Sequence, residues 1–166
     1  GHAIHTAIMK TRQNVNCIFH SHTRAGIAVS CMQEGLMNLS QQSGEIQDKI
    51  NYYDYHLLED PNTAACARLG RDIGNKPLLI MRNHGLLSAA NNIPEALYNL
   101  YVLENACKIQ VDVLRTGAEL SVPPKSEWDK LAKINVSPTD DIAEHVNLFW
   151  TALLRMLDRN GIDYCS

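Results

Sequence analysis

Three short apolar runs constrain this chain more than any other feature: Val15 to His20 (VNCIFH), Pro77 to Arg82 (PLLIMR) and Leu86 to Ala90 (LLSAA). Runs of this length, bounded by turn residues and carrying branched or aromatic side chains, read as buried strands. Two further short stretches, 36–40 (LMNLS) and 51–55 (NYYDY), are also expected as strands. Between them the apolar residues recur at helical spacing. Helices are expected over 3–12, over 23–33 with Thr23 as its cap and a close near Gly35, from Asp60-Pro61 to Gly74, from Asn92 to about Arg115 with Gly117 as terminator, and over 139–159 led by Thr139. The prolines at 123 and 124 mark 121–126 as a linker. Strands alternating with helices point to a layered α/β domain.

The chain has 166 residues, about one domain. With 45% hydrophobic and 20% charged residues it has the make-up of a folded globular protein rather than a disordered one. No apolar run approaches the roughly 18 residues of a membrane span. The first residues lack the basic flank and long apolar stretch of a signal peptide. The net charge of −3 and the lack of a Lys/Arg cluster argue against nucleic acid as a partner. Five cysteines at scattered spacings, with no CxxC pair, disfavour a disulfide framework and favour a reducing cytoplasm. The chain opens on Gly1 already inside a helical pattern, so a preceding N-terminal segment is expected.

The histidines carry the chemistry. His20 and His22 flank Ser21 at the end of the first buried run, and alternate residues of an extended chain face one side. His84 follows the second run, beside Gly85, which is expected to let the backbone turn tightly. If the two strands are neighbours, three imidazoles converge. Three neutral imidazoles with an open position are the pattern of a catalytic zinc site. The alternative is that the pair and the third histidine are ordinary hydrogen-bonded strand-end residues. His2, His5, His56 and His145 lack such spacing and are expected to be structural or solvated.

The segments Ile18-Phe19-His20-Ser21-His22-Thr23 and Arg82-Asn83-His84-Gly85-Leu86 together resemble the class II aldolase/adducin family. The likeness extends over residues 1 to about 118, through IHTAI, AVSCM, YYDY and ENACKIQVDVL. It implies a three-layer α/β/α domain with a central, largely antiparallel sheet. Residues 1–118 would form the family domain, with 119–166 a linker and helical extension packed on it. It implies zinc, or another divalent metal, held by His20, His22 and His84. Family members include fuculose- and rhamnulose-phosphate aldolases, ribulose-phosphate 4-epimerase and decarboxylases. Most are homotetramers with the active site between subunits. In their chemistry the metal stabilises the enediolate left on a substrate's carbonyl and hydroxyl oxygens.

One departure matters. The sugar-phosphate aldolases carry a catalytic glutamate four residues before the helix histidine that matches His5, and that position here is Gly1. The proton-transfer residue is therefore unassigned. Glu34, Glu45, Asp54 and Tyr55 read as solvated surface residues. Arg24, two residues past the histidine pair, is a candidate to meet a substrate carboxylate, and Asn83 to orient a ligand or donate to a substrate oxygen. Two functions follow: a metal-dependent lyase acting on a small hydroxy-carbonyl or sugar-derived compound, or an adducin-like binding and scaffold domain without catalysis.

Overall fold

The computed structural model describes residues 1–56, 63–135 and 140–164. Among the described residues four strands form one sheet: β1 (Cys17–Ser21), β2 (Ile50–Tyr53), β3 (Leu78–Met81) and β4 (Gly85–Ala90). Their spatial order is β1-β4-β3-β2. β1 and β3 both pair antiparallel with β4, while β2 runs parallel to β3. The helices are α1 (His2–Thr11), α2 (Arg24–Ser30), α3 (Gln41–Ile46), α4 (Ala64–Asp72), α5 (Ile93–Arg115), α6 (Lys125–Asn135) and α7 (Asp140–Arg159).

Every residue of β3 and β4 is buried, which is why these two runs are apolar throughout and show no alternation. Successive side chains enter different clusters. Leu79, Met81, Leu87 and Ala89 join Ala3, Ile4, Ala7 and Ile8 of α1 and Cys66 and Leu69 of α4. Leu78, Ile80 and Leu86 join Val29 of α2 and Leu103, Ala106 and Cys107 of α5. Helices therefore pack against the sheet from both sides.

The long helix α5 runs as its sequence pattern predicts. Asn92 caps it by accepting from the Glu95 N–H, and Gly117 follows it with a φ of +66°. Thr23 likewise caps α2, but that helix ends at Ser30 rather than at 33. The Ser30 hydroxyl bonds back to the Ile27 carbonyl, and the Arg82 Nη1 takes the Met32 carbonyl, so the chain leaves the helix in tight turns. The start expected at Asp60-Pro61 lies outside the described residues; α4 begins at Ala64 under a Thr63 cap. The cap expected from Thr139 also lies outside them.

Two expectations fail outright. Residues 36–40 form no strand. Their backbone N–H groups are taken by side chains instead: Leu36 donates to the Tyr52 hydroxyl at 3.1 Å, Met37 to Gln110 Oε1 at 2.7 Å and Leu39 to Ser43 Oγ at 3.1 Å. Ser40 then opens α3 through a reciprocal cap with Ser43. The predicted linker ends early as well, because α6 starts at Lys125 directly after the two prolines, which a helix tolerates at its entrance. Trp128 of α6 lies over Gly44 of α3, where a Cβ would stand 2.6 Å from its ring. On α7, Val146 is buried and Phe149 meets the rings of Tyr98 and Tyr101 on α5, at 5.4 and 5.0 Å, while Leu148 and Met156 stay exposed.

Gln110 is the buried clamp of the 32–37 turn. Its amide donates to the Gly35 carbonyl at 2.8 Å while its oxygen accepts from Met37, and it is 1% exposed. Gln110→Leu keeps the volume and orphans both backbone groups, a cost of about 1–3 kcal/mol for each. Urea denaturation should show a lowered midpoint with little change in slope. An unchanged midpoint would mean that the turn re-satisfies itself.

Candidate metal centre

The antiparallel register pairs His20 with Leu87 and Ser21 with Leu86. The residue that leaves β1, His22, therefore lies beside the turn that enters β4, which holds His84. The three rings converge, with centroids 4.6 to 4.8 Å apart. His22 Nε2 stands 2.8 Å from His20 Nε2, and His84 Nε2 stands 3.3 Å from it. All three ligand atoms lie within 4.8 Å of one another.

One hydrogen bond decides the tautomer. His20 Nδ1 lies 2.9 Å from the Leu86 carbonyl oxygen, which can only accept. Nδ1 therefore carries the proton, and the lone pair of Nε2 faces the other two imidazoles. This is the arrangement of metal-ligating histidines, whose other nitrogen is tied to a backbone or carboxylate acceptor. Tetrahedral coordination at about 2.0–2.1 Å would separate ligand nitrogens by roughly 3.3 Å, so this donor set fits a divalent cation. Burial pushes the His20 imidazole down to about 4, helped by the charges of His84, His22 and His5 and opposed by the Leu86 hydrogen bond. Burial, then the charge of His22, lowers His84 too. Both rings are held neutral near pH 7, the form that binds metal.

The turn departs from expectation in one respect. The residue in the left-handed region is Asn83, with φ +56°, a conformation that asparagine tolerates. Gly85 has another function. A Cβ there would sit 2.3 Å from the Ser21 carbonyl oxygen and 3.2 Å from the His22 ring. Glycine allows β1 and β4 to approach at the point where the centre forms.

Asn83 is exposed, and its N–H donates to the Ser30 carbonyl at 3.1 Å. With Arg82, Ser30, Gln33 and Asp54 it lines an open, polar concavity of about 430 Å³ at the same end of the sheet. Arg24 is the exposed first residue of α2. Glu34, Asp54 and Tyr55 are exposed, and Glu45 accepts from Gln41 at 2.9 Å. Gly1 is exposed at the head of α1, with nothing near its Cβ direction.

The chain matches the model of a family described as class II aldolase and adducin N-terminal domain over residues 1–111. It belongs to that family. An aldolase II superfamily protein from Pseudomonas syringae has a similar structure, with a TM-score of 0.85 and 36% identity over 99% of this chain and 64% of that one. An L-fuculose 1-phosphate aldolase from Glaciozyma antarctica PI12 gives a TM-score of 0.62 and 25% identity over 78% of this chain and 48% of that one. Mouse α-adducin is 39% identical over 119 residues, 70% of this chain and 16% of its own length. The chain spans 63% of the length of the bacterial curated relatives that it matches. Among the described residues, no helix is long and apolar enough to cross a membrane.

Two residues near the histidine cluster were given no part in it by the sequence, His5 being expected as structural or solvated. The charge of His5, on α1, is the smallest of the influences that lower the His20 pKa, and α1 packs on the same side of the sheet as Leu87 and Ala89 of β4. Glu104, on α5, places a carboxylate against Thr23, the residue after His22. A signal for it existed, since Glu104 lies among Leu100, Leu103 and Cys107, on the side of α5 that packs into the core.

Gly85→Ala forces β4 away from Ser21 or displaces the His22 ring. We expect a loss of about 1–3 kcal/mol of stability, typical of overpacking, together with weaker uptake of a divalent cation. Denaturation and metal titration on the same variant check both, and wild-type values in the two measurements would refute the close-approach account.

Proposed function

We propose that this chain carries the metal centre of a class II aldolase-type lyase, with His20, His22 and His84 as ligands of zinc or another divalent cation. The observation that supports it is the convergence of three Nε2 atoms with His20 Nδ1 bonded to the Leu86 carbonyl. Bound there, the metal would act as a Lewis acid for negative charge that develops on substrate oxygens. The protein's part is orientation. The Leu86 carbonyl fixes the His20 ring, and the depressed basicity of His20 and His84 keeps them as neutral donors.

The substrate class is a small hydroxy-carbonyl or sugar-derived compound, and the reaction a retro-aldol cleavage, decarboxylation or epimerisation. Arg24 is assigned to a substrate carboxylate, because a guanidinium matches that group with two parallel hydrogen bonds. Asn83 is assigned to a substrate oxygen, since its exposed amide borders the polar concavity beside His84. With glycine at position 1, no proton-transfer group is assigned. The same reading includes a three-layer α/β/α domain, with 119–166 as its helical extension, a homotetramer as in family enzymes, and a cytoplasmic location.

A second reading, an adducin-like binding or scaffold domain, is favoured by the 39% identity to α-adducin. Metal analysis and turnover separate the two. Protein purified with zinc supplied should retain about one metal ion per chain, and His20→Ala, His22→Ala and His84→Ala should each lose it. A panel of hydroxy acids and sugar phosphates should then reveal metal-dependent turnover. Absence of stoichiometric metal, or a metal content unaffected by the histidine substitutions, would sink the lyase reading. Tight metal binding with no turnover across the panel would favour the scaffold.

A further inference from the structure

Of the three histidines, His22 is the exposed one, and its described ring contacts offer one hydrogen-bond partner, His20. His20 has the Leu86 carbonyl behind its Nδ1, whereas His22 has no equivalent anchor among the described residues. The position of its ring therefore depends on its backbone and on its packing beside Gly85 and His84. The next residue, Thr23, fixes that backbone twice. Its hydroxyl oxygen accepts from the Gly26 N–H at 3.3 Å, which caps α2. The same hydroxyl donates its proton to Glu104 Oε2 on α5.

Glu104 is well placed for this. Its side chain is only 13% exposed, and its neighbours Leu103, Ala106 and Cys107 are in the core. Its other oxygen, Oε1, lies 3.6 Å from Lys108 Nζ one turn along α5, an exposed partner that partly balances the charge. A largely buried carboxylate is costly unless it accepts hydrogen bonds, and here the bond from Thr23 is the main one. Glu104 has no place among the ligands. The cation would thus be backed by two different anchors, a backbone carbonyl behind His20 and a carboxylate acting on His22 through Thr23.

We propose that Thr23 and Glu104 are positioning residues of the metal centre, and that their hydrogen bond sets the orientation of His22 toward a bound divalent cation. The inference rests on the metal reading above and extends it to two residues that make no contact with the ion. Removal of groups hydrogen-bonded to metal ligands typically weakens affinity by about 10- to 100-fold, and Thr23 and Glu104, which act one step further out, should fall at the low end.

Cobalt(II) titration of the full chain, followed by visible absorption, tests it. Cobalt reports both affinity and ligand geometry. Thr23→Val and Glu104→Ala should weaken cobalt binding about 10-fold or more and alter the ligand-field band. Thr23→Ser keeps the hydroxyl and Glu104→Gln keeps an acceptor oxygen, so both should restore the wild-type affinity and spectrum. Asn92→Ala, which removes the cap of α5 far along the chain, controls for a general loss of stability and should leave both unchanged. If Thr23→Val fails to fold, the Glu104→Ala and Glu104→Gln pair decides. The proposal is overturned if Glu104→Ala binds cobalt as the wild type does, if Glu104→Gln falls with it, or if Asn92→Ala weakens binding equally. A wild-type chain that gives no cobalt band fails the metal reading itself, a separate result from these.

Discussion

The pairing of β1 against β4 governs the rest of the centre. Its register places Ser21 opposite Leu86, and three consequences follow from that one alignment. The Leu86 carbonyl comes within 2.9 Å of His20 Nδ1 and fixes its tautomer. His22 passes over Gly85, where only a missing Cβ leaves room. The turn that supplies His84 is held at the same end of the sheet. A slip of one residue would send all β1 side chains to the opposite face. Ile18 of β1, buried in one cluster with Ala89 opposite it, opposes that slip. Thus the core that holds the fold together also sets the distances between the imidazoles.

The sequence pattern was informative where one residue type had one physical role. The all-apolar runs of β3 and β4, the Asn92 and Thr23 caps and the Gly117 stop were all legible. So was the HxH pair, because alternation on a strand is a local rule. It failed where tertiary partners decide. LMNLS has the look of a strand, but Tyr52, Gln110 and Ser43 take its N–H groups, and none of them can be assigned from a window of five residues. The prolines at 123 and 124 correctly forbid helix for themselves and gave no warning of the helix they introduce. At the centre, His5 and Glu104 were passed over for one reason: both reach it through helix packing across long sequence separations. Gly85 was singled out for a turn that Asn83 in fact makes.

The electrostatics of the histidine cluster bear on the choice between enzyme and scaffold. Two imidazole nitrogens 2.8 Å apart need something between them, either a proton or a cation. His20 Nδ1 has its proton committed to Leu86, so Nε2 offers a lone pair. The Nε2–H of a neutral His22 or His84 ring can supply that proton without added charge, whereas a further proton would make an imidazolium, which the burial of His20 opposes. The site thus disfavours the charged imidazolium and retains the neutral donors. A divalent cation would meet all three Nε2 lone pairs at once, with each ring's remaining proton on Nδ1. A surface that only docks another protein has no need of three converging imidazoles, which favours the proposed metal centre over the scaffold reading. The metal centre proposed above rests on that convergence of lone pairs, which the register of β1 against β4 creates.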